Sequence, residues 1–295
     1  MEWLKYHLSD EGKYFNGKQC EISEAEFILF GAPIDSTSTY RTGSREAPPM
    51  IRLASLNVET YSFRNEMDAL DLKIHDAGDI PQTPNINEAL NRISKIVSEI
   101  VKMGKKPIMI GGEHTVTYGA IKALKKPIII FDAHMDLRDE YPYGVKMSHA
   151  TVSRRITDEI GAENVFIIGV RATCKDEIEY ARRVGLKYKT SMEVMENSAK
   201  DLMKDIKLNG NDVWISIDMD VLDPSIAPGV GNPEPEGISV TKLLDILQWI
   251  AMNKKVIGFD LVEVSPPYDN GVTSITAAKI ILELACMISK WKTRV

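Results

Sequence analysis

Cysteine is scarce in this sequence of 295 residues, which contains three cysteines and no Cys-x-x-Cys pair. The three residues are far apart and odd in number, so we expect Cys20, Cys174 and Cys286 to be reduced thiols in a cytosolic protein. The sequence also lacks an apolar run approaching the roughly 18 residues that a membrane span requires. This scarcity argues against a disulfide-stabilised secreted domain and against an ordinary membrane protein.

The sequence shows no surplus of basic residues and no pattern that indicates a leader. The first residues do not combine a basic stretch with an apolar core, so no signal peptide is expected. The formal net charge is −6, which disfavours nucleic acid as a partner and suits a cationic substrate. The most apolar predicted helix, near 275–288, contains Lys279 and Glu283, which indicates a core helix. We therefore predict a cytoplasmic protein without a nucleic-acid or membrane partner.

The overall composition is that of a globular chain. Hydrophobic residues make up 44% and charged residues 26%, so material for a large core is present. There is no repeat, low-complexity tract or evident linker, and residues 1–295 are predicted to form a single domain.

Short apolar segments alternate with longer amphipathic ones along the chain. Several of the apolar segments are continuous, which is typical of parallel strands buried on both faces. The eight predicted strands are 27–32, 72–77, 107–111, 127–132, 164–169, 185–189, 212–218 and 256–262.

Helical periodicity appears between these strands. In 88–101 and 240–251, apolar residues recur every three or four positions, and Asn87 and Ser239 are predicted N-caps. Alternating strands and helices predict an α/β fold with a parallel sheet and helices on both faces. In such sheets, ligands bind beyond the carboxyl ends of the strands.

Three of the predicted strands are followed by residues that commonly bind metals. The segments are 111–114 (Gly-Gly-Glu-His), 132–136 (Asp-Ala-His-Met-Asp) and 218–220 (Asp-Met-Asp). Residues two apart point the same way in an extended chain, so the side chains within each segment are expected to converge. The resulting candidate ligands are His114, Asp132, His134, Asp136, Asp218 and Asp220.

Four carboxylates at one buried site must be neutralised, because an unpaired buried charge is very costly. Two divalent cations would do so. In the arrangement we predict, Asp132 and Asp218 bridge the cations, His114 and Asp136 complete the first site, and His134 and Asp220 complete the second. An isolated Asp-x-Asp or Asp-x-His is usually a turn or a cap, and the case depends on finding all three segments at equivalent strand ends.

The order of these motifs resembles that of the ureohydrolase (arginase/agmatinase) family. The similarity is carried by the three metal segments, by Ser-His-Ala-Thr at 148–151, by the loop at 227–237 and by Asp-Leu-Val-Glu at 260–263. With the N-terminal stretch from Gly31 to Arg52, it extends from about residue 27 to about 288. Glu113 departs from the pattern, because aspartate is commoner there.

The resemblance implies a three-layer α/β/α sandwich around an eight-stranded parallel sheet, the six ligands named above and two Mn²⁺ per subunit. The donor set also suits Ni²⁺, Zn²⁺, Fe²⁺ and Co²⁺. It implies that His149 transfers a proton, that Glu263 binds the substrate guanidinium, and that Asp136 both binds metal and holds the attacking water. His7 and His75 have no such role. Family members are commonly trimers or hexamers, so a homo-oligomer is expected.

The implied reaction is hydrolysis of a guanidino C–N bond, with agmatine as the leading substrate and putrescine and urea as products. The loop 137–147 lacks the Asn/Ser pattern with which arginases bind the α-carboxylate and α-amine of arginine, which disfavours arginine. Asp139 and Glu140 in this loop are candidates to meet a distal ammonium, although a solvated loop explains them more simply. Aminopropylagmatine, guanidinobutyrate, guanidine and formimidoylglutamate remain alternative substrates.

Two other classes of protein remain. A metallophosphoesterase also uses an Asp-x-His motif, but there that motif comes first in the chain, whereas here Gly-Gly-Glu-His precedes it. A non-catalytic binding protein on the same fold would not need all six ligands together with His149 and Glu263. A single carboxylate or histidine, such as Glu263 at a strand end or His149 as a helix cap, has an equally good structural explanation.

Overall fold

A parallel sheet of eight strands runs through the middle of the protein. The computed structural model describes residues 14–204, 206 and 208–291. The sheet has the order β4-β1-β5-β10-β9-β6-β7-β8, and each neighbouring pair is parallel. Its strands are β1 (Phe27–Ala32), β4 (Ile74–Asp79), β5 (Lys106–Gly111), β6 (Ile128–Phe131), β7 (Val165–Val170), β8 (Lys187–Thr190), β9 (Asp212–Asp218) and β10 (Lys255–Val262). A small antiparallel pair consists of β2 (Tyr61–Ser62) and β3 (Met67–Asp68).

Helices cover both faces of this sheet. They are α1 (Ala47–Ser55), α2 (Ile86–Lys102), α3 (Val116–Leu124), α4 (Val152–Ile160), α5 (Lys175–Val184), α6 (Ser191–Glu196), α7 (Ala199–Met203), α8 (Val240–Asn253) and α9 (Val272–Trp291). The predicted three-layer α/β/α sandwich is confirmed, and each predicted strand is present within about two residues.

The core has two halves because side chains alternate along each buried strand. In β1, Phe27 and Leu29 pack in the half that contains α1, α8 and α9. Ile28 and Phe30 pack in the other half, with α2 to α5. A strand with apolar contacts on both faces has no solvent side, which explains the continuous apolar runs in the sequence.

Two local expectations have different outcomes. Ser239 caps α8, since its side chain accepts a hydrogen bond from Lys242 N–H. The prediction that Asn87 caps α2 is wrong, because the Asn85 carbonyl oxygen accepts hydrogen bonds from the backbone N–H groups of Asn87 and Glu88. The capping side chain therefore lies two residues earlier, outside the first turn of the helix.

The most apolar helix is a core helix, as its interruption by charged residues predicted. Within the described residues, α9 is the one helix long and apolar enough to cross a membrane, but 72% of its most apolar window is buried inside the protein.

Cys286 lies on this helix and is buried, while Cys20 and Cys174 are partly exposed, and all three are unpaired thiols. His75 Nδ1 donates a hydrogen bond to the Cys20 carbonyl oxygen and belongs to neither metal-donor group, whereas His7 lies outside the described residues.

The strand order brings distant motifs together. The adjacent strands β5, β10, β9 and β6 occupy the middle of the sheet, although β9 and β10 come last in the chain. Although β5 and β6 are consecutive in the chain, they are not neighbours in the sheet, because β10 and β9 lie between them. A reversal of this kind opens a crevice beyond the carboxyl ends of the strands.

Candidate binuclear metal centre

All six proposed metal ligands lie at this crevice. His114 follows β5, Asp132 to Asp136 follow β6, and Asp218 ends β9. They are fully or largely buried apart from His134, whose side chain is 26% exposed. The six side chains therefore come from three central strands and meet at one edge of the sheet.

The first group of donors surrounds His114. Its Nδ1 lies 3.0 Å from Asp132 Oδ2, 3.4 Å from Asp136 Oδ2 and 3.2 Å from Asp218 Oδ2. These are the four residues assigned to the first cation from the sequence. The donor atoms of His114, Asp132 and Asp136 form one compact group that could hold a cation, and Asp218 adjoins that group through His114.

The second group surrounds His134. Its Nδ1 lies 2.9 Å from Asp220 Oδ2 and 3.6 Å from Asp132 Oδ1. Asp132 thus presents one oxygen to each group, as expected of a bridging ligand. The compact second group contains Asp132, His134 and Asp220 but not Asp218, whose Oδ1 accepts a hydrogen bond of 2.9 Å from Asp220 N–H.

Two buried atoms indicate that these residues fit a metal. His114 Nδ1 and Asp132 Oδ2 have no hydrogen-bond partner, although they lie 3.0 Å apart. Buried polar atoms are otherwise almost always bonded, because leaving one unpaired costs about 1–3 kcal/mol. Nitrogen and oxygen atoms that approach without bonding each other are the arrangement expected of two donors to one cation.

The electrostatics of the cluster also call for positive charge. Burial raises the pKa of Asp218 well above its ordinary value, and the carboxylates of Asp220 and Asp132 add to the rise. Burial, together with the charge of Asp132, raises the pKa of Asp136 to about 7. Asp136 and Asp218 therefore resist ionisation unless positive charge lies beside them.

Residues behind the cluster hold His114 in one orientation. Ser216 Oγ donates a hydrogen bond of 2.5 Å to Asp260 Oδ1, which leaves it to accept one from His114 Nε2 at 3.2 Å. Asp260 is completely buried and also accepts a hydrogen bond from Trp214 Nε1 at 2.6 Å. With its proton on Nε2, His114 has a lone pair on Nδ1 directed at the cluster, as a metal ligand requires.

The segment at 218–220 is not near-extended, because it enters a turn, whereas His134 in the segment 132–136 forms a parallel β-bridge with Ala172. Residues 219–221 form a 3₁₀ turn, in which the Asp218 side chain accepts a bond from the backbone of Asp220. Asp132 accepts in the same way from His134 N–H at 2.7 Å, and Asp136 has a positive φ of 51°. The side chains still converge, because Asp132 and Asp218 each accept a hydrogen bond from the backbone N–H two residues later.

His149 and Glu263 line the same pocket, which has a volume of about 390 Å³. His149 begins a 3₁₀ turn before α4, and Ser148 caps that turn, so His149 is not the cap. Burial lowers the pKa of His149 to about 4, and hence its imidazole is neutral at neutral pH. Its Nε2 lies 3.3 Å from the hydroxyl of Thr39, which also lines the pocket.

Glu263 is held rigidly at the end of β10. Its Oε1 accepts a hydrogen bond of 2.7 Å from His114 N–H, and its own N–H donates to the Gly112 carbonyl at 2.8 Å. Its φ is 64°, a left-handed conformation that is uncommon for residues other than glycine and often marks a functional position. Burial raises the pKa of Glu263 well above its ordinary value, so a cationic partner would be strongly favoured there.

The structure adds pocket residues that the sequence motifs did not indicate. Arg171 donates to the carbonyl oxygens of Asp220 and Glu234 at 2.6 and 2.9 Å, and its other hydrogen bonds are also to backbone carbonyls. It ties the turn that carries Asp220 to the loop that carries Glu234. No local pattern marks Arg171, because all its hydrogen-bond partners except Gly169 are 49 to 64 residues away along the chain.

The Asp139 carboxylate is already paired with basic side chains of this protein. Its carboxylate forms ion pairs with Lys146 and, at 3.0 Å, with Arg155. It lines a neighbouring depression rather than the pocket that contains His149 and Glu263. The simpler explanation of this loop, that its acids are solvated and paired, fits the structure better than contact between Asp139 and a substrate ammonium.

Comparison with known proteins agrees with this site. A model of the Arginase family matches residues 25–287. The chain is 41% identical to the agmatinase of Bacillus subtilis, covering 95% of this chain and 98% of the relative. It is 35% identical to the N(1)-aminopropylagmatine ureohydrolase of Thermococcus kodakarensis, covering 88% and 90% respectively.

A solved structure gives the same answer for the fold. The agmatine ureohydrolase of Thermoplasma volcanium superimposes with a TM-score of 0.88 at 34% identity, covering 99% of both chains. The family match spans the sheet and the motifs that supply the histidine and aspartate cluster. The chain therefore belongs to the arginase family, and it is a ureohydrolase.

Proposed function

We propose that this protein hydrolyses agmatine to putrescine and urea with two Mn²⁺ ions. The observation that carries the proposal is the position of Glu263, a buried carboxylate on the same pocket as the His114 and His134 groups. A pocket that joins oxygen-rich metal donors to an acid with room for a guanidinium suits a cationic guanidino substrate. Relatives named agmatinase at 37% to 41% identity favour agmatine over other members of this class.

The proposed cation sites follow from the two donor groups. One consists of His114, Asp132, Asp136 and Asp218, and the other consists of Asp132, His134, Asp218 and Asp220. Bound there, two divalent cations supply the acidity that makes a water nucleophilic at neutral pH. Manganese is proposed because the donors are carboxylates and imidazoles without thiolates.

Glu263 orients the substrate in this proposal. Guanidinium and carboxylate are both planar, so two parallel charge-assisted hydrogen bonds can fix the guanidino carbon in place. The bond from His114 N–H at 2.7 Å already occupies part of Oε1, which limits the carboxylate to one rotamer. Asp136, which also lines the pocket, would hold the attacking water as well as a cation.

His149 moves a proton to the leaving amine. Its imidazole is neutral at neutral pH and largely buried, so it can accept a proton within the pocket and pass it on. The His149 Nε2 is the atom available for this step, because it lies beside pocket residue Thr39.

Replacing His149 by alanine should slow turnover while the cations stay bound. General acid–base catalysis contributes about 10²- to 10⁴-fold, so kcat should fall within that range. The metal content should stay at the wild-type value, because His149 belongs to neither donor group. Steady-state urea release together with elemental analysis measures both, and an H149A variant with full kcat would remove the proposed role.

Glu234 is the acid we propose for the distal ammonium of agmatine. It lines the pocket, its side chain is 40% exposed, and among the described residues its carboxylate forms one ion pair, a distant one of 3.8 Å with His134 Nε2. Glu177, the other acid at this rim, uses both oxygens to accept from Leu137 N–H and Cys174 N–H. Arg138 also lines the pocket and would favour a substrate that ends in a carboxylate, such as guanidinobutyrate.

Glu234→Gln and Arg138→Gln form a matched pair that distinguishes these substrates. With agmatine, loss of the Glu234 charge should raise KM about 3- to 10-fold, since a partly exposed charge pair contributes roughly 1 kcal/mol. Arg138→Gln should leave that KM unchanged or lower it. The reverse result, with guanidinobutyrate as the better substrate and R138Q as the damaging change, would contradict the assignment to agmatine.

The substrate itself is tested by offering agmatine, arginine, aminopropylagmatine, guanidinobutyrate and guanidine in parallel to the Mn²⁺-loaded protein. The highest kcat/KM for urea release is expected with agmatine, and little release is expected with arginine. A clear preference for any other member of the panel would replace agmatine in the proposal. Loading separate samples with Mn²⁺, Ni²⁺, Zn²⁺, Fe²⁺ or Co²⁺ would test the metal in the same assay.

Several wider properties belong to the proposal as well. We propose that residues 1–295 form one domain, which the continuous sheet from β1 to β10 supports. A cytoplasmic homo-oligomer, trimeric or hexameric, that takes part in putrescine biosynthesis would be consistent with the family. Sedimentation analysis of the purified chain tests the oligomeric state.

A further inference from the structure

Glu113 is a buried carboxylate that the proposed mechanism does not use. It directly precedes the ligand His114, is fully buried, and does not line the pocket. Its strongest contacts are with one residue, Thr37: Oε2 accepts from Thr37 N–H at 2.7 Å, and Oε1 accepts from the Thr37 hydroxyl at 2.7 Å. Ser38 Oγ makes a longer contact of 3.5 Å.

Thr37 connects this carboxylate to His149. The Thr37 Oγ accepts a hydrogen bond of 3.0 Å from His149 N–H and lies 3.5 Å from His149 Nδ1. A hydroxyl has one proton, and here the short bond to Glu113 takes it. Toward its other neighbours, the Thr115 hydroxyl at 3.3 Å and His149 Nδ1, the Thr37 oxygen can then only accept. A hydrogen bond with Nδ1 therefore requires the proton of a neutral imidazole to be on Nδ1.

Contacts on the other side of the ring agree with this tautomer. The Thr39 hydroxyl lies 3.3 Å from His149 Nε2 and can donate to an unprotonated nitrogen there. The Nε2 lone pair then faces the pocket, where a proton must be received and passed on. In a neutral histidine, the hydrogen bond that one ring nitrogen makes ordinarily determines whether the proton is on that nitrogen or on the other one.

We propose that Glu113, acting through Thr37, is a positioning residue that fixes His149 as the Nδ1–H tautomer, so that Nε2 is the unprotonated nitrogen that can accept a proton in the pocket. The inference rests on the proposed role of His149 in proton transfer. The same carboxylate also anchors the loop after β1 against the end of β5, so that the ring and the first metal ligand share one support.

The pair Thr37→Val and Thr37→Ser tests the relay. Valine keeps the β-branched shape and removes the hydroxyl, whereas serine keeps the hydroxyl. T37V should lower kcat on the order of tenfold, a part of the 10²- to 10⁴-fold that the acid–base residue contributes, with KM and metal content unchanged. T37S should retain most of the wild-type kcat. Equal losses in both variants would overturn the proposal in favour of a purely structural role.

Glu113→Gln tests the direction of the relay. A glutamine can donate to the Thr37 oxygen, which would turn the threonine proton toward His149 Nδ1 and favour the opposite tautomer. The E113Q variant should therefore lose kcat at least as strongly as T37V. Combining T37V with His149→Ala should cost nothing beyond H149A alone, because residues that act as a unit are not additive. A multiplied loss in the double variant would contradict the relay.

A readout without metal or substrate keeps this inference separate from the proposed function. In ¹⁵N-histidine spectra of the metal-free protein at neutral pH, the signals lost in His149→Asn identify His149. They should show a protonated Nδ1 in the wild type and in T37S, and a protonated Nε2 in E113Q. A protonated Nε2 in the wild type would overturn the relay, whether or not urea is released from any guanidino substrate.

Discussion

Replacing Asp132 by asparagine should abolish urea release and leave the chain with neither cation bound. Asp132 presents Oδ2 to His114 Nδ1 at 3.0 Å and Oδ1 to His134 Nδ1 at 3.6 Å, so it belongs to both donor groups. An amide cannot supply two anionic oxygens to two cations. We expect kcat to fall by at least about 10³-fold, because without the cations no group in the pocket can activate water at neutral pH.

The measurement is elemental analysis of the dialysed protein beside its urea release. Asp139→Asn is a matched control, since Asp139 is a nearby aspartate whose side chain is 53% exposed and paired with Lys146 and Arg155. D139N should bind two ions per chain and remain active. A D132N protein with two bound ions and wild-type turnover would show that Asp132 does not bridge a metal centre.

Replacing Glu263 by glutamine should abolish productive substrate binding while the cations stay bound. Removing one partner of a buried charge pair costs about 3–5 kcal/mol, which is roughly a 10²- to 10⁴-fold loss in kcat/KM. Glu263 is 5% exposed, so solvent offers the guanidinium little alternative stabilisation. The metal content should not change, because Glu263 is outside both donor groups.

Glu283→Gln is the control for this experiment, because Glu283 is also 5% exposed but lies on α9 and accepts a hydrogen bond from Ser62 Oγ. It should reduce the free energy of unfolding without changing kcat/KM. If E263Q kept wild-type kcat/KM for agmatine, Glu263 would not be the guanidinium-binding carboxylate.

Much of the fold could be predicted from local sequence because the central strands of the sheet are apolar on both faces. Phe27–Ala32 and Asp212–Asp218 begin and end where the pattern placed them. Boundaries failed where a side chain outside the repeat determines the end, as with Asn85, which caps α2 in place of the expected Asn87. Period and polarity identify the buried stretch of a helix but not the residue that caps it.

The candidate site was predictable for a different reason. Each metal segment lies at the end of a strand, so candidate ligands that are close together in the sequence are also close together in space. Arg171, Thr37 and Glu234 could not be found in this way, since each contacts the site through partners that are distant along the chain. Even for Asp218 and Asp220, convergence was predicted correctly from the wrong backbone geometry, because the 3₁₀ turn at 219–221 was not visible in the pattern.

Membership of the arginase family resolves two alternatives that the motifs alone left open. A metallophosphoesterase is not supported, since the family match spans residues 25–287. A non-catalytic protein on this fold is likewise not supported, because the relatives are hydrolases. Phosphate release from a generic ester is therefore not expected.

Urea release from agmatine, measured against the number of cations bound per chain, tests the central claim most directly. The protein is stripped with a chelator and then titrated with Mn²⁺, and bound metal and urea are measured in the same samples. The account predicts no urea from the stripped protein and full activity only as the chain approaches two ions. Two bound ions without urea from agmatine, or full urea release without bound metal, would contradict it.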